Sequence, residues 1–313
     1  YYVFWRFILN FHGSILYFLW FLKKRTYYDL KGKNFLIIKN DPDLTRLSKR
    51  ISEKISTESL QNIKKNMLSG NMKTSNQTNT LDKTYKADIF FEIEEELRDE
   101  IVEFALSEKM ISTASKHMKI FPIISRIILN YNIVNTNEQR GSMLWHRDAF
   151  GYKSLDIFLA LSDITNNSGP LSILTRESDL GIFARNANEK NFAKAGERGK
   201  VEDEDMDSKQ NVENNIGNKG TAVLVDSYVT YHKGGNCKSE DRLMLRISYQ
   251  GADAIDFREQ KDEFLFSKNL KKKEIFSNFK KYTLFKRAKF LNLFNLKFKL
   301  IKFYRFFQYL EKN

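Results

Sequence analysis

Residues 141–152 read GSMLWHRDAFGY and residues 220–236 read GTAVLVDSYVTYHKGGN. The first stretch places a histidine two residues before an aspartate. The second is an apolar, β-branched run that ends on another histidine. On an extended strand, side chains two apart point to the same face. His146 and Asp148 therefore project together while Arg147 points away. The sequence has only four histidines, so an imidazole beside a carboxylate is an informative choice of residue. Alone, H-x-D is a short pattern that arises by chance, and its meaning depends on the surrounding chain.

That surrounding chain reads as β. From 121 onward come the short runs IISRIILNYNIV (123–134), LDIFLALSDI (155–164), GPLSIL (169–174), GTAVLVDSYV (220–229) and RLMLRISYQ (242–250). Each is β-branched or aromatic, and Gly, Asn and Asp turns divide them. Many short strands with such punctuation predict a jelly roll or barrel-like sandwich. Upstream, DLTRLSKRISEKISTESLQNIKKNML (43–68) and DIFFEIEEELRDEIVEFALSEKMISTASKHM (88–118) have helical periodicity, with the polar linker SGNMKTSNQTNTLDKT (69–84) between them. The expected class is α+β, a double-stranded β-helix of cupin-like form with flanking N-terminal and C-terminal helices. Four regions follow: an apolar helical segment (1–42), a helical region (43–120), the β core (121–260) and a basic amphipathic helical tail (261–313). Within the core, 185–219 reads as a polar insertion or lid that contains the acidic run VEDEDMD (201–207).

Composition narrows the function classes. The single cysteine, Cys237, excludes an internal disulfide framework and a cysteine-rich zinc site. That usage fits a reducing compartment, and the expected location is cytoplasmic. The formal net charge is +13, and fourteen Lys/Arg against two Glu after residue 266 account for twelve of it. A nucleic-acid enzyme more usually carries such charge on its body, near the chemistry, so nucleic acid is disfavoured as a partner. The N-terminal run YYVFWRFILNFHGSILYFLWFLKKR (1–25) is strongly apolar, with Arg6, Asn10 and Gly13 at helical spacing. It reads as a helix buried on the body, as an interfacial membrane helix, or as a span or signal remnant. Peripheral membrane contact is expected through 1–25 and 270–313.

Two histidines and one carboxylate on one face of a metal leave three octahedral positions open, the donor set of non-haem Fe(II) oxygenases. His146, Asp148 and His232 are the candidate ligands. Ten residues past His232, Arg242 opens a strand from which a guanidinium can hold a carboxylate through paired hydrogen bonds. Arg246 and Ser248 share its face by alternation, so Arg246 is the rival for that role. Trp145 is expected on the outer face of its strand. Asp226 reads as a turn-orienting residue, and His117 and His12 read as structural or exposed.

In order, the segments LWHRD, IFLALSDITNNSGPLSIL, GTAVLVDSYVTYHKGGN and SEDRLMLRISY resemble the phytanoyl-CoA dioxygenase-like family of Fe(II)/2-oxoglutarate oxygenases. The resemblance runs from about residue 123 to 249 and leaves both flanks uncovered. It implies His146, Asp148 and His232 as iron ligands and Arg242 as the residue that binds the distal carboxylate of 2-oxoglutarate. It also implies consumption of O2, oxidative decarboxylation of 2-oxoglutarate to succinate and CO2, and hydroxylation of a small or lipid-linked substrate. Two departures stand out. Ser178 is followed by Asp179 where the family usually has a Ser-His pair, and the His232–Arg242 spacing is one short of a frequent value, which keeps Arg246 in play. The competing classes are a non-catalytic cupin-type binding module and an isomerase or hydrolase holding another metal.

Overall fold

A computed structural model of the protein describes residues 2–22, 24–69, 85–134, 141–143, 145–148, 154–175 and 212–251. All but the first residue of the linker expected at 69–84, most of the insertion expected at 185–219, and the basic tail expected at 261–313 lie outside the described residues. Helix α1 (Tyr2–Phe21) is followed by β1 (Phe35–Ile38), α2 (Pro42–Lys54), α3 (Thr57–Leu68), β2 (Lys86–Asp88), α4 (Glu95–Ala105) and α5 (Glu108–Met118). Then come β3 (Ile123–Asn132), β4 (Ser154–Ala160), β5 (Leu171–Leu174), β6 (Val212–Asn214), β7 (Ala222–Val225), β8 (His232–Gly234) and β9 (Arg242–Gln250). Local chemistry sets the helix starts. Asp41 accepts from the Asp43 and Leu44 amides with Pro42 in the first turn of α2, and Ser56 and Ser107 cap α3 and α5 in the same way.

The strands form two antiparallel sheets. The larger runs β1-β7-β4-β9-β3-β2 and the smaller runs β6-β5-β8. Side-chain alternation divides the larger sheet into two faces with different tasks. Leu155, Ile157, Leu159, Ala222, Leu224, Leu243, Leu245, Ile247 and Tyr249 turn outward onto the helices, in a cluster that also holds Leu44, Ile51, Leu97, Ile101, Met110 and Ile111. The intervening residues Phe158, Ala160, Val223, Val225 and Met244 turn the other way, onto Leu171 and Ile173 of the smaller sheet. Both faces are covered, which is why these strands read as near-continuous apolar runs. Buried polar groups on the outer face have partners: Tyr249 Oη donates to the Ala105 carbonyl at 2.5 Å and Ser48 Oγ to the Ala160 carbonyl at 2.5 Å.

The larger sheet recruits strands from regions expected to be helical. Within 1–42, FLII forms β1 and pairs with β7 from Phe35↔Val225 to Ile38↔Ala222. Within 43–120, Lys86–Asp88 forms β2 on the edge of β3. An apolar run of four residues has no distinguishing period, and here a free edge of the sheet decided its conformation. Val212, at the end of the stretch expected as an insertion, opens β6 and packs beside Trp145, Leu174 and Tyr231.

Helix α1 lies against the body along one side. Gly13 is buried and its carbonyl accepts from the Phe121 amide at 2.9 Å, while Trp20 is buried, packs edge-on against Phe121 and donates from Nε1 to Ser112 Oγ at 2.9 Å. The other side leaves Phe11, Ile15, Phe18, Leu19 and Leu22 exposed. Among the described residues, no helix is long and apolar enough to cross a membrane. This two-sided packing has a direct test in urea denaturation. Trp20→Ala is expected to cost about 3–5 kcal/mol, the range for emptying a buried aromatic site. Phe18→Ser, at a side chain that is 66% exposed, is expected to cost far less, within about 0.5–1 kcal/mol; equal costs would mean that α1 is misplaced.

Candidate metal centre

His146 and His232 are brought together by backbone first. The His146 amide donates to the His232 carbonyl at 3.0 Å and the His232 amide donates back to the His146 carbonyl at 3.0 Å. Residues that exchange both bonds across an antiparallel pair stand opposite one another with side chains on one face. Their imidazole centroids are accordingly 4.5 Å apart. Two residues on, the Asp148 amide donates to the Ser227 carbonyl at 2.8 Å. This keeps 146–148 extended, so Asp148 shares the face of His146. One ligand atom from each of His146, Asp148 and His232 lies within 4.8 Å of the other two. The three sequence candidates thus meet in space.

Burial and tautomer both suit the set to a metal. Asp148 and His232 are buried and His146 is half-buried. His232 Nδ1 lies 3.0 Å from the Thr230 carbonyl. A carbonyl only accepts, so Nδ1 carries the proton and Nε2 keeps its lone pair for an ion. Asp148 Oδ1 faces His146 Nε2 at 3.7 Å, whereas Oδ2 accepts from Arg246 Nη2 at 2.6 Å. Burial pushes the Asp148 carboxyl up, but the Arg246 guanidinium beside it outweighs that, and the group is held well below the usual carboxylate range. It is an ionised ligand. Two neutral nitrogens and one anionic oxygen on a single face fit Fe(II), with three positions left for exchangeable ligands.

The two arginines of β9 have separate environments. Arg246 Nε donates to Asp156 Oδ1 at 3.1 Å, and its Nη2 donates to Asp156 Oδ2 at 3.0 Å as well as to Asp148. Burial alone would lower its pKa, and Asp156 and Asp148 instead raise it. Ser248 Oγ is likewise committed to Asp156. Arg242 is buried, and its Nε and Nη1 have no hydrogen-bond partner among the described residues; that burial pulls its pKa down. Its Nη2 stands 3.9 Å from where a β-carbon on Gly234 would be, two residues past His232. Across the β3–β9 ladder it faces Asn132, and Asn130 Oδ1, two residues along β3, is also buried without a partner. Of the two rivals, Arg242 has two buried nitrogens without a partner among the described residues, whereas Arg246 Nε and Nη2 are both bonded to carboxylates.

Other features differ from the sequence reading. Trp145 is fully buried against Leu174 and Tyr231, with the Lys233 ammonium 4.9 Å from its ring centroid, so the side of the strand opposite His146 is an interior. Asp226 does more than orient a turn. It accepts from the Tyr228 amide and Ser154 Oγ at 3.2 Å each, and its Oδ2 lies 2.9 Å from His117 Nε2. Asp156 was not singled out at all. An acid at the second position of LDIFLALSDI, in register with Phe158 and Ala160, was the available signal, because a charge alternating with inward apolar residues must find a partner inside.

No protein-family model matches the chain, and no curated protein matches it significantly. Solved structures align with parts of it at low similarity. EctD from S. alaskensis with bound Fe is 14% identical, over 73% of this chain and 75% of that one, with a TM-score of 0.40. AviO1 from Streptomyces viridochromogenes is 12% identical over 73% and 92%, with a TM-score of 0.42. HygX from Streptomyces hygroscopicus, with nickel and 2-oxoglutarate bound, is 10% identical over 74% and 87%, with a TM-score of 0.41. At this level of similarity no chemistry carries over from them, and the site rests on its own side chains.

The geometry predicts a metal-dependent stability. Anaerobic Fe(II), or Co(II) as an air-stable substitute, is expected to raise the unfolding temperature. At a hundredfold excess over Kd the stabilisation is about 2.7 kcal/mol. His232→Ala should abolish that increment, and a wild-type shift surviving in this variant would place the ion elsewhere.

Proposed function

We propose that the protein is an Fe(II)- and 2-oxoglutarate-dependent dioxygenase built on a double-stranded β-helix, and that it hydroxylates a small or lipid-like substrate. The strand order supports the architecture. The chain passes from β3 in the larger sheet to the His146 segment beside β8, then to β4, across to β5 and β6, back to β7, across to β8 and back to β9. A chain that winds alternately through two facing sheets makes such a helix of strands. The resemblance to the phytanoyl-CoA dioxygenase-like family points the same way.

The observation that carries the activity is the buried Arg242 guanidinium, two of whose nitrogens lack a partner among the described residues, on the same face of β9 as Arg246, which bonds the candidate ligand Asp148. An uncompensated buried cation costs several kcal/mol, and a carboxylate ligand removes that cost through two charge-assisted bonds. The local charge balance favours a dianion. Asp148 and Asp156 offset Arg242 and Arg246, so a divalent ion leaves two positive charges, which 2-oxoglutarate cancels. Bound iron with 2-oxoglutarate and dioxygen would supply the oxidising power for hydroxylation, with succinate and CO2 as co-products. The chain's own residues do the rest. His146, Asp148 and His232 hold the ion on one face, the Thr230 carbonyl fixes the His232 tautomer, and Arg242 takes the distal carboxylate. Asp148 fills the third ligand position that relatives which halogenate leave to halide, and this favours hydroxylation.

Anaerobic titration with Fe(II) and 2-oxoglutarate is expected to develop the weak visible charge-transfer band of a metal-chelated 2-oxo acid. Arg242→Gln should weaken 2-oxoglutarate binding about 10–100-fold, the worth of one or two charged hydrogen bonds, without changing metal affinity. No band in the wild-type protein would favour the differently metallated class.

The flanks support work at an anionic lipid surface. Residues 1–28 carry four basic side chains and no acid, and the tail is as one-sided, so these segments repel each other and share an attraction to anionic headgroups. The exposed stripe Phe11, Ile15, Phe18, Leu19 and Leu22 supplies the apolar contact. Phosphatidylglycerol vesicles should sediment the protein and phosphatidylcholine vesicles should not. Phe18→Ser with Leu22→Ser should reduce the bound fraction severalfold; equal recovery with both lipids, or none with either, would remove this part of the reading.

A further inference from the structure

Arg246 is the best-anchored charged side chain near the ligand set, and neither metal binding nor co-substrate binding as described above uses it. Three of its hydrogen bonds go to two buried carboxylates, Asp148 and Asp156, and the guanidinium lies 5.1 Å from the Phe158 ring centroid. Asp156 is held in turn from the other side. Ser248 Oγ and Ser227 Oγ both donate to it through short bonds, and Ser227 also gives its carbonyl to the Asp148 amide. Ser227 Oγ lies 3.5 Å from Ser154 Oγ, which bonds Asp226, the partner of His117. The ligand Asp148 is thus the inner end of a buried polar chain that crosses the sheet to α5.

The geometry has a coordination consequence, which rests on the metal reading given above. A carboxylate free to rotate can present both oxygens to an ion and occupy two positions. A six-coordinate site with two imidazoles would then keep two places, enough for a chelating 2-oxo acid and too few for dioxygen as well. Here Oδ2 is bound to Arg246 and Oδ1 faces the His146 imidazole. We propose that Arg246 is a positioning residue that restricts Asp148 to one ligating oxygen, with Asp156 as the counter-anchor that stops the guanidinium from withdrawing the carboxylate from the ion. Arg246 acts on the ligand and touches neither co-substrate nor substrate. The proposal separates the two arginines of β9 by task, one serving the metal ligand and the other the co-substrate.

The test is Co(II) binding to the full chain without 2-oxoglutarate, read by affinity and by the intensity of the visible d–d bands, which report coordination number and geometry. Arg246→Gln should weaken Co(II) about 10–100-fold, as for loss of a partner that orients a metal ligand, and should change the band envelope. Arg246→Lys, which keeps a charged donor, should recover most of both. Asp156→Asn should shift them in the same direction by less, and Arg242→Gln should leave both unchanged. Wild-type affinity and spectrum in Arg246→Gln would overturn the proposal, as would a loss of 2-oxoglutarate affinity alone, which would make Arg246 the co-substrate anchor. If Arg246→Gln does not fold, Arg246→Lys and Asp156→Asn carry the same comparison, and unchanged spectra in both would overturn it. Failure of the wild-type protein to bind Co(II) is a separate result that removes the metal reading itself, and this proposal with it.

Discussion

Two backbone hydrogen bonds hold the functional architecture in register: the reciprocal pair between His146 and His232. A slip of one residue at this bridge would turn one imidazole to the opposite face, because strand side chains alternate with a period of two. The bridge does not stand alone. His232 pairs on its other side with Ile173 of β5, and β9 is flanked by β3 and β4 along its length. The two histidines are far apart in sequence, but loop-closure entropy grows only logarithmically with loop length. A packed sheet that cannot slide therefore fixes two distant side chains without a covalent link or a cysteine.

Around that bridge the interior is charged, which is costly for a fold of this kind. Asp148, Asp156 and Arg242 are all buried, and Arg246 is nearly so. A buried ion pair is poor evidence of stabilisation, since desolvation can exceed the Coulombic gain, whereas losing one partner leaves a stranded charge. What such pairs provide is geometry. The Arg246 bonds to Asp148 and Asp156, with Ser227 and Ser248 behind them, give each charge a fixed direction. Arg242 is the exception, with two buried nitrogens that no described residue answers. The outer face of the same sheet, apolar and packed on the helices, supplies the stability that offsets the cost of burying these charges.

Much of this was readable in the chain. The H-x-D spacing predicts one face by alternation alone, and it is one face. The apolar run before His232 predicts a nearby strand, and β7 and β8 flank that segment. The helices α2 and α5 begin where Asp41 and Ser107 offer caps. Other features were hidden for physical reasons. FLII could be strand or helix until the β7 edge offered it hydrogen bonds. Trp145 alternates away from the ligands as expected, yet that side is covered by Leu174 and Tyr231 from two other segments. Asp156, Asp226 and His117 are individually ordinary, and only the crossing of β4, β7 and α5 makes them a chain.

The sequence by itself determined which side chains could serve, because period, donor chemistry and the scarcity of histidine are local properties. It put three candidate metal donors on or beside strands and named Arg242 ahead of Arg246, four residues on along the same face of β9. Only the tertiary structure gave the two arginines different surroundings. The residues that distinguish Arg242 from Arg246 are Asp148 and Asp156, about a hundred positions away in the chain. Electrostatic partnership falls with distance through space, and no pattern along a single strand records which acid lies across the sheet.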